Sequence, residues 1–80
     1  MKQAIQTDPN DRMNQEQLDH LERRVKLQLS GRVRNFRLKW GRAGLVLRGR
    51  VRTYYAKQLA QHAVMDATNL PIVRNDIEVS

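Results

Sequence analysis

From Phe36 to Val51 apolar and basic residues alternate, an order that suits a β-strand with one face buried and the other in water. Phe36, Leu38 and Trp40 are separated by Arg37 and Lys39; beyond the tetrapeptide Gly41-Arg42-Ala43-Gly44, Leu45, Leu47 and Val51 share one parity while Arg48 and Arg50 share the other. Successive side chains of a strand point to opposite faces, so a period of two sorts grease from cations. Arginine is almost never buried without a partner, which decides the inward face. Gly41 and Gly44 bracket a connection of about four residues, which predicts an antiparallel hairpin. Gly49 falls on the apolar parity, where a missing side chain leaves a recess for close packing.

The flanking segments follow a different period. Residues 1–13 are polar and aperiodic and read as a flexible N-terminal tail, in which Asp8 before Pro9 suits the cap of an early helical turn. Asn14, with Gln17 three residues on, has the spacing of a capping box. Leu18, Leu21, Val25 and Leu29 then recur at helical steps until Gly31, so a helix is predicted over about residues 14–30. After the hairpin, Thr53 is an N-cap candidate for a second helix whose buried stripe is Ala56, Leu59, Ala60, Ala63 and Ala67, flanked by Tyr55 and Val64. Asn69 in a left-handed conformation and Pro71 end it, and Val73, Ile77 and Val79 resume period two. The expected fold is α+β in the order αββαβ: a three-stranded mixed sheet, strand three parallel to strand two, with both helices on one face. Residues 14–80 form its single domain.

Charge is distributed as unevenly as hydropathy. Twelve of the fifteen basic residues lie between Arg23 and Lys57, nine of them Arg, and that stretch holds no Asp or Glu. The net charge of +7 therefore divides into +12 for residues 23–57, −3 before them and −2 after them. With no cysteine there is no disulfide or thiolate chemistry, and two separated histidines make no closed zinc site, so neither metal nor cofactor is expected. His20 and His62 stand on separate elements without a nucleophile or carboxylate pair, and no catalytic role is expected of them. No apolar run reaches the ~20 residues that cross a bilayer, and no signal-peptide core is visible. As written the chain reads as cytoplasmic, or periplasmic if a leader has been removed.

The run Gly44-Leu45-Val46-Leu47-Arg48-Gly49-Arg50-Val51, the Ala-rich helix after it, and the closing Asn69, Leu70, Val73, Asn75, Ile77 and Val79 resemble the BON domain. That family carries a G-x-V/L-x-L-x-G-x-V hairpin strand, a helix, and a final G-V-x-x-V-x-N-x-I/L-x-V strand. The resemblance spans about residues 18–79; Asn69 stands where the family usually has Gly, and Pro71 follows it. It implies an αββαβ fold and a non-catalytic binding module, often associated with phospholipid or the cell envelope.

On the residues themselves, Arg37, Lys39, Arg48 and Arg50 are expected on the open sheet face, with Arg52 at its edge and Arg42 in the turn. Planar guanidinium groups meet phosphate bidentately, so the expected partner is an anionic phospholipid surface or another polyanion, bound peripherally. Asp76 and Glu78 share that parity and are placed to pair with Arg48 or Arg50 across strands. Nucleic acid is the competing ligand, against which stands the lack of aromatic residues on the open parity. The tetrapeptide 41–44 matches the GxxG loop of KH domains, but that loop joins two helices and this one joins two strands. Leu27, Tyr54 and Met65 fall off the buried helix faces, which suits a weak self-associating surface as a third reading.

Overall fold

The computed structural model describes residues 14–80. Its elements are α1 (Gln15–Leu29), β1 (Arg34–Trp40), β2 (Leu45–Val51), α2 (Tyr54–Ala67) and β3 (Ile72–Val79). The fold is α+β in the expected order. The N-terminal tail and the Asp8–Pro9 cap lie outside the described residues.

The first helix starts where its backbone donors find partners. Asn14 Oδ1 accepts from the Gln17 amide at 2.8 Å, and Gln17 Oε1 accepts from the Asn14 amide at 3.1 Å, the reciprocal bonds of a capping box. The helix stops where Ser30 (φ 53°) and Gly31 (φ 79°) turn left-handed, a conformation that cannot continue it. Between these ends Leu18, Leu21, Val25 and Leu29 are buried.

The strand order is β1-β2-β3, with β1 antiparallel and β3 parallel to β2. Phe36, Leu38, Leu45, Leu47, Val51 and Ile77 project from one sheet face into a core closed by the α1 stripe and by Ala56, Ala60, Ala63 and Val64 of α2. Both helices thus cover the same face, and the other is left open. Small side chains on α2 let it approach β2 and β3 closely. Removing a fully enclosed side chain such as Leu47 from so small a core costs about 2–5 kcal/mol.

Two details of α2 differ from the sequence expectation. Val64, expected on the flank, is completely buried, while Leu59 and Ala67 are only partly covered and Tyr55 is 68% exposed. The stripe follows Ala56, Ala60, Ala63 and Val64, which rotates Tyr55 into solvent beside the sheet end. The helix also ends without a left-handed Asn69. Thr68 is an extended cap, and its Oγ1 accepts from the Leu70 amide at 3.2 Å, so the turn toward Pro71 is held by a side chain instead.

Side chains also occupy an amide on each outer strand. The Leu38 amide of β1 donates to Glu22 Oε1 of α1 at 2.8 Å, and the Ile77 amide of β3 donates to Asn75 Oδ1 at 3.2 Å. Asn75 Nδ2 donates in turn to Gln61 Oε1 and to the Lys57 carbonyl, tying β3 to α2. Exposed strand edges with free donors template unwanted pairing, and these contacts blunt both edges.

Candidate anion-binding face

The open face is built in three rungs across the sheet, read from the strand register. Lys39, Val46 and Arg74 form the first, Arg37, Arg48 and Asp76 the second, and Arg34, Arg50 and Glu78 the third. Every charge contributed by β1 and β2 is positive, and both carboxylates stand on β3. The face therefore grades from a cationic half to a mixed rim, with a net charge of +4 from six cations and two acids across these rungs.

Arg34 joins this face through a β-bulge. Register shifts between Arg34 and Arg37, where Asn35 is left-handed at φ 56°. The extra residue reverses the parity of the strand, so Val33 turns inward and Arg34 outward, directly opposite Arg50. The recess expected at Gly49 holds this bulge: a Cβ there would meet Val33 Cγ1 at 2.8 Å and the Arg34 carbonyl oxygen at 3.2 Å.

The result is two like-charge pairs directly across the antiparallel ladder, Arg34 with Arg50 and Arg37 with Arg48. Opposed side chains in such pairs lie about 5 Å apart at Cβ, and like charges there destabilise the sheet. Counter-ions offset only part of this. Arg37 Nε lies 3.4 Å from Glu22 Oε1, Arg50 pairs with Glu78 at 3.3 Å, and Arg74 pairs with Asp76 at 2.9 Å. Asp76 thus turns to its own strand rather than to Arg48. Among the described residues Arg34, Lys39 and Arg48 take part in no ion pair.

The six residues expected from sequence do not converge on one point. Arg37, Lys39, Arg48 and Arg50 are exposed on the open face as expected. Arg42 sits in the turn closed by the Gly41 amide donating to the Gly44 carbonyl at 2.7 Å, before β2, and Arg52 follows β2 at its far end. Seven strand residues at about 3.3 Å each separate those ends by roughly 20 Å, so the set forms a surface rather than a pocket. Sequence reasoning missed Arg34, Arg32 and the counter-ion Glu22. The broken parity at Val33-Arg34-Asn35-Phe36 was the signal for the first; Glu22 flanks the α1 stripe by its spacing to Leu18 and Val25, but its partner on β1 is set by helix packing.

Arg32, Arg34, Arg50 and Arg52 are among the residues lining an open cleft of about 520 Å³ at one end of the sheet, bounded on the helix side by Thr53 and Tyr55. Thr53 Oγ1 accepts from the Ala56 amide at 3.0 Å, capping α2, whose first turn carries no acidic residue. No group of three or more metal-ligating side chains occurs among the described residues, and no helix there is long and apolar enough to cross a membrane. His20 and His62 are exposed. Comparison with protein-family models, curated proteins and solved structures gives no match for this chain.

Proposed function

We propose that the chain is a BON-like, non-catalytic module that docks on anionic phospholipid surfaces through the open face of its sheet. The observation that supports this best is the pair of opposed arginines across β1 and β2, left partly without counter-ions on an exposed surface. A sheet selected for stability alone gains nothing from such pairs; a bound polyanion turns their repulsion into attraction. The cationic half spreads over strands rather than enclosing a cavity, which suits a planar array of phosphates.

The contact is weak by construction. A cation near an anionic leaflet contributes about 1 kcal/mol, so Arg34, Lys39 and Arg48 with Arg42 and Arg52 at the ends supply about 5 kcal/mol, a sub-millimolar dissociation constant. Physiological binding at that strength requires several copies or a second attachment. Nucleic acid is the second reading, and exposed Tyr55 beside the arginine-lined cleft favours it, since a base can stack there. The open face itself presents no aromatic side chain, so membrane docking is the better fit. A self-associating role rests on Leu27, Tyr54 and Met65, which are all exposed.

Co-sedimentation with anionic and neutral vesicles at low and physiological salt tests the reading. Binding is expected to anionic vesicles only, to weaken steeply with salt, and to be mostly lost in the triple variant R34Q/K39Q/R48Q. Absence of binding at low salt, or undiminished binding by the triple variant, removes the proposal. Gel shifts with duplex and single-stranded probes show whether nucleic acid takes the same face.

A further inference from the structure

The open face is a diffuse array, but the cleft at its end is built differently. Four arginines, Arg32, Arg34, Arg50 and Arg52, line it, from the α1–β1 connection, the bulged strand, the central strand and the β2–α2 junction. The cleft's lining carries no carboxylate among the described residues, and the one ion pair that reaches it is between Arg50 and Glu78, both well exposed. The bulge exists at a steric cost, with Asn35 left-handed and Gly49 obligatory beneath it, and its effect is to bring Arg34 beside Arg50. The Thr53 hydroxyl accepts from the Ala56 amide and keeps its own proton free to donate, and the Tyr55 ring stands exposed at the rim.

We propose that this cleft seats a phosphate monoester, the terminal phosphate of a phosphatidic-acid-type lipid headgroup, and so gives the docking face its headgroup preference; this rests on the membrane reading above. A monoester carries about −1.5 to −2 charges near neutral pH and three terminal oxygens, where a diester carries one charge and two such oxygens. Arginine forks bind such oxygens in pairs, and the four arginines lining the cleft, with one hydroxyl donor, favour the monoester's greater charge and acceptor count. A lysine cluster would supply charge without that geometry.

The test has a soluble arm and a membrane arm. In the first, glycerol 3-phosphate and dimethyl phosphate are titrated into the labelled protein while every amide is followed by NMR. Saturable shifts are expected at residues 31–34 and 50–56, with glycerol 3-phosphate bound about tenfold more tightly than the diester, in line with doubled charge-assisted bonding. The variants R34Q and R52Q are each expected to lose about tenfold, R52K to recover only part of it, and R24Q, on α1 away from the cleft, to behave as the parent chain. Diffuse, non-saturating shifts at all basic residues, or equal affinity for both phosphates, overturn the cleft. In the second arm, vesicles with equal surface charge from phosphatidic acid or phosphatidylglycerol are compared. Preference for phosphatidic acid that disappears in R34Q and R52Q supports the lipid source. Equal binding to both vesicles overturns the headgroup preference and leaves face docking intact. Saturable glycerol 3-phosphate binding without vesicle binding supports the cleft, assigns it to a free phosphomonoester, and removes the membrane reading.

Discussion

Glu22 holds together two properties that a substitution should drive in opposite directions. Its side chain is 14% exposed; Oε1 accepts from the Leu38 amide at 2.8 Å and lies 3.4 Å from Arg37 Nε, while Oε2 lies 3.6 Å from Lys26. In Glu22→Gln the carbonyl oxygen still reaches Leu38, but a charge-assisted bond becomes a neutral one, at a cost of about 1 kcal/mol. The two ion pairs involve half-exposed cations and add about 0.5 kcal/mol each. The sum, about 2 kcal/mol, is a large part of the 3–10 kcal/mol typical of a domain this size. With a urea m-value near 1 kcal/mol/M, the unfolding midpoint should fall by about 2 M. Arg37 on the open face meanwhile loses its counter-ion, and one more unpaired cation near an anionic leaflet should tighten vesicle binding about fivefold. Urea unfolding followed by circular dichroism, paired with co-sedimentation, reads both effects. A midpoint within about 0.5 M of the parent's would refute the energetic reasoning. Weaker or unchanged vesicle binding by the folded variant would refute the electrostatic part. Arg37→Gln separates the contributions: it leaves the Leu38 bond in place and should cost less than about 1 kcal/mol.

Three further outcomes are expected. Gly49→Ala should destabilise by roughly 3 kcal/mol, because φ of 155° is a glycine-only region and the new Cβ would meet Val33 Cγ1 at 2.8 Å; an unfolding midpoint like the parent's would mean that the bulge relaxes freely. Asn75→Ala should cost about 1–2 kcal/mol through loss of its bonds to Gln61, Lys57 and Ile77, and hydrogen exchange should rise first at the Ile77 amide. The double variant D76N/E78Q removes the carboxylates paired with Arg74 and Arg50, so it should change stability by less than about 1 kcal/mol and tighten binding to anionic vesicles by about tenfold or more.

The order of elements was legible, most clearly where α1 and the hairpin carried their own period and stop; in β3 only Ile77 of the expected Val73, Ile77 and Val79 set is buried. Leu18, Leu21, Val25 and Leu29 marked α1, the Asn14–Gln17 pair marked its start, and the alternation from Phe36 to Val51 marked the hairpin and its inward face. Harder to read was whatever depended on two elements meeting. The bulge at Asn35 needed Gly49 of the neighbouring strand to open space for it, and its parity reversal put Arg34 on the face. Glu22, four residues after Leu18 and three before Val25, flanks the α1 stripe, but only helix packing sets its contact with the edge of β1. Asp76 was placed to cross to Arg48 and instead pairs with Arg74 two residues away. Tyr55 and Val64, both expected on the flank of α2, part ways, Tyr55 to solvent and Val64 to the core, because the small-residue stripe tolerates a modest rotation about the helix axis.

Whether the sheet's open face or a helix meets the anionic surface is decided by NMR of the labelled protein on anionic bicelles doped with a headgroup spin label, whose broadening identifies the amides nearest the lipid. Broadening is expected to centre on Arg37, Lys39, Val46 and Arg48, with Arg24 and Leu27 of α1 and Gln58 of α2 left sharp. Broadening centred on Arg23, Arg24 and Leu27, with the sheet amides unaffected, would contradict docking through the open face.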